Sequence, residues 1–356
     1  MSGSFSGLNR RAFLRNSAYA AGAIAGTSLA GPSRASALEA DTGLKLVDRD
    51  LRIREATWNG QSIFSYNYVN DQVPLDESPK PYFHPLRTLG GSVVTPERPN
   101  DHPWQKGLGM NLTEVGEANF WGGPSYRKNQ GYTWIPNHGR QRHVQWMEEH
   151  CAGTAGSLTQ QLAWESGAGE LLLSESRRIG FDLNLTERFW TLNLEMDIRN
   201  ATSRPLDLGS YASNHGLVGS FYTGLFWRLP REFLEQLNLH GKSAKGSMLS
   251  EGNRDTEEKM HGSSGRWVAL TGSVDNVLEP VTLLMIDRSS PDMSSPLVFI
   301  RQHLLGVGLP FLGNDSRSLA AAGSLKLRYQ LVLADGHWPK SKITAYCRDG
   351  METKAG

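Results

Sequence analysis

Apolar and polar positions alternate with a period of two along most of this chain, and a helical period is nearly absent. The clearest run is 189–199. Phe189, Thr191, Asn193, Glu195, Asp197 and Arg199 fall on one side, and Trp190, Leu192, Leu194, Met196 and Ile198 on the other. Successive side chains of a strand point to opposite faces, so this run predicts a half-buried antiparallel strand. Shorter strand-like runs cover 44–53, 62–69, 142–147, 157–164, 170–175, 178–184, 206–210, 267–274, 281–287, 297–302 and 325–333. Turn formers separate many of them, among them Ser166-Gly167, Asn200-Ala201-Thr202, Ser203-Arg204-Pro205 and Asp335-Gly336. Only 231–239 reads as a helix, and 242–264 reads as polar loop with a solvated charge run at 254–259. Many short strands with almost no helix predict an all-β fold. There are too many strands for a small immunoglobulin-like domain, so the expectation is a large two-sheet antiparallel β-sandwich.

One stretch, 81–134, breaks the alternation. It gathers His84, Arg87, Asp101, His102, Lys106, Trp104, Trp121 and Trp134 among paired glycines. Titratable groups and large aromatics on glycine-bent loops are the materials of a small-molecule site.

The N-terminus reads as an export signal. Asn9-Arg10-Arg11-Ala12-Phe13-Leu14-Arg15 is a twin-arginine pattern, a weakly apolar segment follows, and Ala35-Ser36-Ala37 is a cleavage site. The expected layout is a signal peptide over 1–37, one large sandwich domain over 38–340 and a tail over 341–356. The expected location is the periplasm or the exterior. Of 37 basic residues the signal holds four, and it holds none of the 36 acidic ones, so the mature chain is near charge balance. That balance argues against nucleic acid or an anionic membrane as the main partner, and no later stretch is long and apolar enough to span a bilayer. The chain has 2 cysteines, Cys151 and Cys347, which either bridge distant parts of the chain or stand apart as buried thiols.

Five motifs together resemble one family. They are Pro81-Tyr82-Phe83-His84-Pro85, Asp101-His102-Pro103-Trp104-Gln105-Lys106-Gly107, Asn119-Phe120-Trp121-Gly122-Gly123, Gly224-Leu225-Phe226-Trp227-Arg228 and the closing strand up to Gly336. The family is bacterial and carries the inherited label "methane oxygenase PmoA". A membrane methane monooxygenase subunit is a polytopic helical protein, and this chain offers neither spans nor metal-ligand spacing, so the oxygenase label has no chemical support here. The family resemblance implies a setting in sugar and glycoside catabolism. A second likeness lies in residues 192–200, the turn at 202–205, the strand at 206–211 and Ser213-Asn214-His215-Gly216. That succession is similar to a segment of galactose mutarotase-like proteins. It implies their β-supersandwich and a histidine in a sugar pocket.

The candidate chemistry follows from these positions. His102 and His215 are the expected proton-transfer pair, since an imidazole titrates near neutrality. Asp101 is either a base or a turn-capping carboxylate. His84, Asp101 and His102 together have the donor types of a two-histidine, one-carboxylate metal site, although no spacing requires it. Arg87, Lys106 and Arg228 would polarise substrate oxygens or hold loops by ion pairs. Trp104, Trp121, Trp134 and Trp227 would stack on sugar faces or fill the core. Glu195 and Asp197 share a polar face, as a glycosidase pair would or as solvated residues do. No phosphate loop or nucleophile elbow occurs, and no cofactor is expected. The expected function is binding of a carbohydrate or glycoside, with acid–base chemistry on it as an epimerase, lyase or hydrolase. The alternatives are a non-catalytic sugar-binding accessory protein partnered with a redox enzyme, and a metal-dependent enzyme.

Overall fold

The computed structural model describes residues 42–352, apart from 235, 240–241, 276–278 and 293–295. The export signal expected over 1–37 lies outside the described residues.

Two eight-stranded antiparallel sheets make the body of the molecule. The first is ordered Leu44–Arg49, Ile53–Trp58, Gln61–Asn67, Tyr82–Leu86, Leu108–Leu112, Thr223–Arg228, Gly306–Pro310, Phe299–Arg301. The second is ordered Ser247–Ser250, Trp267–Gly272, Val281–Asp287, Ser324–Asp335, Phe189–Asn200, Leu171–Asn184, Ala155–Glu165, Arg140–Ala152. The alternation in Phe189–Asn200 holds residue for residue. Trp190, Leu192, Leu194, Met196 and Ile198 enter the core, and Trp190 stacks on Phe64 of the first sheet at 5.8 Å. Each such fully buried side chain stabilises the fold by about 1.5–3 kcal/mol. Glu195 and Asp197 lie on the solvent face beside Arg178, Arg328 and Lys326, as solvated residues do.

The core is not wholly apolar. Arg177 is buried against Glu175 at 2.6 Å, and Trp164 donates to the same carboxylate. Tyr66, on the first sheet, accepts from Arg177 at 3.1 Å and donates to Gln160 at 2.7 Å. This network ties one sheet to the other through hydrogen bonds that fix their relative placement, because a buried group left unpaired would cost about 1–3 kcal/mol.

Helix assignment is where sequence and structure differ. The predicted helix over 231–239 is a short 3-10 turn, Arg231–Leu234, then a strand, Gln236–Leu239, paired with Lys242–Lys245. Nine residues are too few for a helix to repay its nucleation without a packed face. Within the predicted loop 242–264 lie the edge strand Ser247–Ser250 and the short helix Glu257–Met260. The longest described helix, Lys340–Glu352, occupies the stretch read as a tail. Its Ile343 and Cys347 pack with Trp338 on Phe189, Leu284, Ile286 and Val332, covering part of the outer face of the second sheet.

The outer face of the first sheet carries the chemistry. In Leu108–Leu112, Leu108, Met110 and Leu112 point into the core, leaving Gly109 and Asn111 on the other side. In Thr223–Arg228, Leu225 and Trp227 point inward while Phe226 and Arg228 point outward. Phe226 is nevertheless buried, because loops bearing Trp104 and Trp121 close over it.

Candidate functional site

Leu108–Leu112 and Thr223–Arg228 pair antiparallel, with Leu108 opposite Trp227 and Leu112 opposite Thr223. At one end the chain enters from Asp101 and His102 and meets Arg228. At the other it leaves to Glu114 and meets Tyr222.

The first end is built on Asp101. Its carboxylate accepts from Arg228 Nη2 at 3.0 and 2.7 Å, from Arg231 Nη2 at 2.9 Å and from His102 Nδ1 at 3.1 Å. Partial burial would raise the acid's pKa, but hydrogen bonds from Arg228, His102 and Arg231 outweigh it and hold the carboxyl well below the usual range. A carboxylate so stabilised as an anion is a poor proton acceptor, so Asp101 anchors this cluster rather than serving as a base. Because Asp101 can only accept, His102 carries its proton on Nδ1 and presents Nε2 elsewhere. Arg228 is fully buried and gives Nη1 to Gln105 Oε1 at 2.6 Å.

The middle is aromatic. Gly122 and Gly123 have left-handed φ of 102° and 71°. A Cβ on Gly123 would stand 2.3 Å from the Trp104 ring, so the glycine pair is the bed in which Trp104 lies. Asn119 Oδ1 accepts the backbone N–H groups of Trp121 and Gly122. Lys80, buried without a carboxylate, donates to the Trp121 carbonyl at 2.7 Å, and burial pushes its amine well below the ordinary lysine value. Trp121 stacks on Tyr222 at 4.7 Å, while Trp134, exposed by 59%, meets the edge of Trp104 at 6.0 Å.

The second end is a histidine–carboxylate pair. His215 closes the short helix Tyr211–His215, which is fixed by a Ser210–Ser213 capping box and a left-handed Gly216. Its Nε2 lies 2.8 Å from Glu114 Oε1. Arg127 donates to the same oxygen at 2.9 Å, and Asn214 to Oε2 at 2.7 Å. Glu114 is buried and can only accept, so the shorter contact at 2.8 Å assigns the proton to His215 Nε2 and leaves Nδ1 as the basic nitrogen, with Arg127 Nη1 3.2 Å from the same Nε2. Tyr126 and Tyr211 each lie 6.3 Å from the imidazole, ring centre to ring centre. Burial raises the Tyr211 phenol to about 12, which keeps its hydroxyl protonated at neutral pH.

His102 and His215 do not meet. Six residue steps from Gly107 to Thr113 span roughly 20 Å of extended backbone, and no hydrogen bond or ring contact joins the two imidazoles among the described residues. An aromatic path links them instead: His102 to Trp104, Trp104 to the Trp121 cluster, then Tyr222, Tyr211 and His215. Each histidine has its own carboxylate.

Other expected site residues divide. Arg87 and Arg228 line one cleft of about 680 Å³ together with Arg231. His84 is half-buried, bonds Thr95 Oγ1 through Nδ1 at 3.0 Å, and has its pKa lowered by burial. Lys106 is buried in an ion pair with Glu77 at 2.5 Å, and Arg98 shares that carboxylate. Trp227 is a core residue whose Nε1 donates to Val94 O at 3.0 Å, because its strand position points inward. Among the described residues no three His, Cys, Asp or Glu side chains gather as a metal site, and both Asp101 oxygens are engaged by guanidiniums. Cys151 and Cys347 are both free thiols. No helix among the described residues is long and apolar enough to cross a membrane.

Glu114, Arg127, Tyr126, Tyr211 and Arg231 are site residues that the sequence did not disclose. Glu114 sits in a two-residue strand with no pattern of its own, and its partner His215 is 101 positions away.

Over residues 55–348 the sequence matches the family described as "Family of unknown function (DUF6807)". The chain belongs to the DUF6807 family. No curated protein matches the sequence. Among solved structures, a GH36 alpha-galactosidase, AgaB, from Geobacillus stearothermophilus aligns at 9% identity and a TM-score of 0.38, over 82% of this chain and 41% of the other. A galactose mutarotase-like protein from Lactobacillus casei aligns at 9% identity and a TM-score of 0.35, over 82% of this chain and 100% of the other. The galactosidase domain of the alpha-galactosidase-sucrose kinase AgaSK aligns at 10% and 0.35, over 83% and 40%. This DUF6807 chain thus spans about two fifths of the two galactosidase chains. At these scores the likenesses carry no argument about chemistry, and the fold stands on the strands and registers described above.

Proposed function

We propose that this protein binds a carbohydrate or glycoside on the outer face of its first sheet and acts on it by acid–base chemistry at His215. The observation that supports this reading is the Glu114–His215 pair beside tyrosines that are partly or well exposed, Tyr126, Tyr132 and Tyr222. Aromatic rings offer flat apolar faces to sugar C–H groups, and hydroxyls and amides at their edges bond sugar oxygens. His215 Nδ1 takes a proton from a sugar hydroxyl or carbon, and the resulting imidazolium keeps its Nε2–H on Glu114, whose negative charge stabilises it. The proton then returns from Nδ1 to the departing or neighbouring oxygen. Arg127 and Asn214 hold Glu114 so that the imidazole keeps one tautomer and one orientation. The reading includes export through the twin-arginine route and a place in sugar catabolism. The methane oxygenase label forms no part of it.

The second reading is a sugar-binding accessory protein of a redox enzyme. It is favoured by the aromatic platform alone, which needs no proton transfer. Proton NMR of a glycoside and keto-sugar panel incubated with the protein separates the two. Turnover abolished in His215→Gln supports the enzyme; binding without turnover of any panel member supports the accessory protein.

A further inference from the structure

The cleft lined by Arg87, Arg228 and Arg231 lies at the Asp101 end, away from Glu114 and His215, and the chemistry assigned to His215 does not use it. Arg228 and Arg231 share one carboxylate, Asp101, so two guanidiniums are balanced by a single negative charge. Arg87 has no carboxylate partner among the described residues. The one hydrogen bond of its guanidinium there is a long one to Gly91 O at 3.4 Å. Arg228 is fully buried, and its Nε has no hydrogen-bond partner. A guanidinium without a carboxylate, Arg87, on the wall of a cavity of small-molecule size is a setting for an oxyanion, because a planar fork of N–H groups matches two carboxylate oxygens.

Charge decides which oxyanion. Glu232 and Asp275 also line the cleft. Three guanidiniums on the wall thus face two carboxylates, and the Asp101 carboxylate behind them brings the set to neutrality. The neutral set offers an anion directed N–H donors rather than excess positive charge, which favours a singly charged carboxylate over a doubly charged phosphate. Pro96, Pro99, Pro230 and Val93 supply apolar wall, and Asn100, whose Oδ1 accepts from Arg231, supplies an amide. The geometry points to a second binding site in this cleft, for the carboxylate of a small hydroxylated acid such as a uronic acid, held by Arg87 and Arg231 and backed by Arg228.

This site goes beyond the carbohydrate reading and does not depend on His215. Calorimetric titration of the full chain with D-glucuronate, D-glucose and glucose 6-phosphate tests it, using wild type, Arg87→Gln, Arg87→Lys, Arg231→Gln and His215→Ala. The expected result is binding of glucuronate in preference to glucose, weakened at least about tenfold by Arg87→Gln or Arg231→Gln. Arg87→Lys keeps the charge, guards against a folding failure, and should fall between wild type and Arg87→Gln. His215→Ala should leave glucuronate affinity unchanged; loss there alone would place the acid in the other site. Absence of a glucuronate preference, its survival in both arginine-to-glutamine variants, or tighter binding of glucose 6-phosphate would overturn the assignment. None of these outcomes bears on turnover at His215, which is read by the separate NMR assay.

Discussion

His215 Nε2 and Glu114 Oε1 stand 2.8 Å apart, joining a helix end to the strand that leaves the far edge of the aromatic face. Arg127 and Asn214 complete the carboxylate's hydrogen bonds. Removing Glu114 therefore does two things. It frees the imidazole to change tautomer, and it leaves Arg127 without its partner.

Glu114→Gln should cost about 2 kcal/mol in urea unfolding, within the range for loss of a charged hydrogen-bond partner. It should also lower kcat at least as far as it lowers kcat/KM, because it acts on the proton-transferring group. His215→Ala should cost less stability and lower turnover more. Equal loss of stability with no loss of turnover would make the pair structural.

Gly123→Ala should destabilise by roughly 2 kcal/mol or more, since a Cβ would enter the Trp104 ring at a left-handed φ. Trp104→Ala introduced with it should recover part of that loss, and a double-mutant cycle measures the coupling. Additive costs would mean that the two residues do not share the packing described.

Acid should unfold the protein in two identifiable steps. The folded Asp101 carboxyl is held well below its ordinary value of 3.8, so its contribution is fully present above 3.8 and declines as pH falls from there toward the lower folded pKa. Burial lowers the folded His84 pKa below 6.5, so the unfolded state binds the extra proton first and stability also falls as pH drops below 6.5. Unfolding free energies from pH 8 to 3 should flatten below pH 4 in Asp101→Asn and immediately below pH 6.5 in His84→Gln.

Much of this fold was legible in the sequence, and the reason is visible in particular strands. The alternation from Phe189 to Arg199 is a local record of which side of a sheet is buried, so it needs no knowledge of the partner strand. The C-terminal helix left a weaker record, Ile343, Tyr346 and Cys347 at helical spacing, within a segment otherwise polar. The site was half legible. Asp101-His102, Trp104 and the Gly122-Gly123 bed sit in one loop-rich stretch, where their chemistry is adjacent in sequence. Glu114 and His215 are brought together by the pairing of Glu114–Val115 with Leu206–Gly209, the strand before the His215 helix, a long-range fact that no local pattern contains. Trp227 and Trp121 look alike as sequence; strand register turns Trp227 into the core, while a loop lays Trp121 on Phe226 of the outer face.

Two free thiols per chain should be titrated by a disulfide reagent in denaturant without reductant. In the folded protein Cys347 should react slowly, since burial pushes its thiol up to about 12 and the thiolate is the nucleophile. No reactive thiol in denaturant would mean that a bridge forms and that the C-terminal helix sits elsewhere.

The central claim is that a sugar binds against the Glu114–His215 pair. The most direct measurement is the thermal shift of the protein over a glycoside panel, with wild type, His215→Ala and Glu114→Gln in parallel. A sugar at 100 times its dissociation constant stabilises by about 2.7 kcal/mol, enough to move the melting point by several degrees. The account predicts such a shift in wild type, lost in His215→Ala and reduced in Glu114→Gln. A shift of the same size in all three proteins would contradict it.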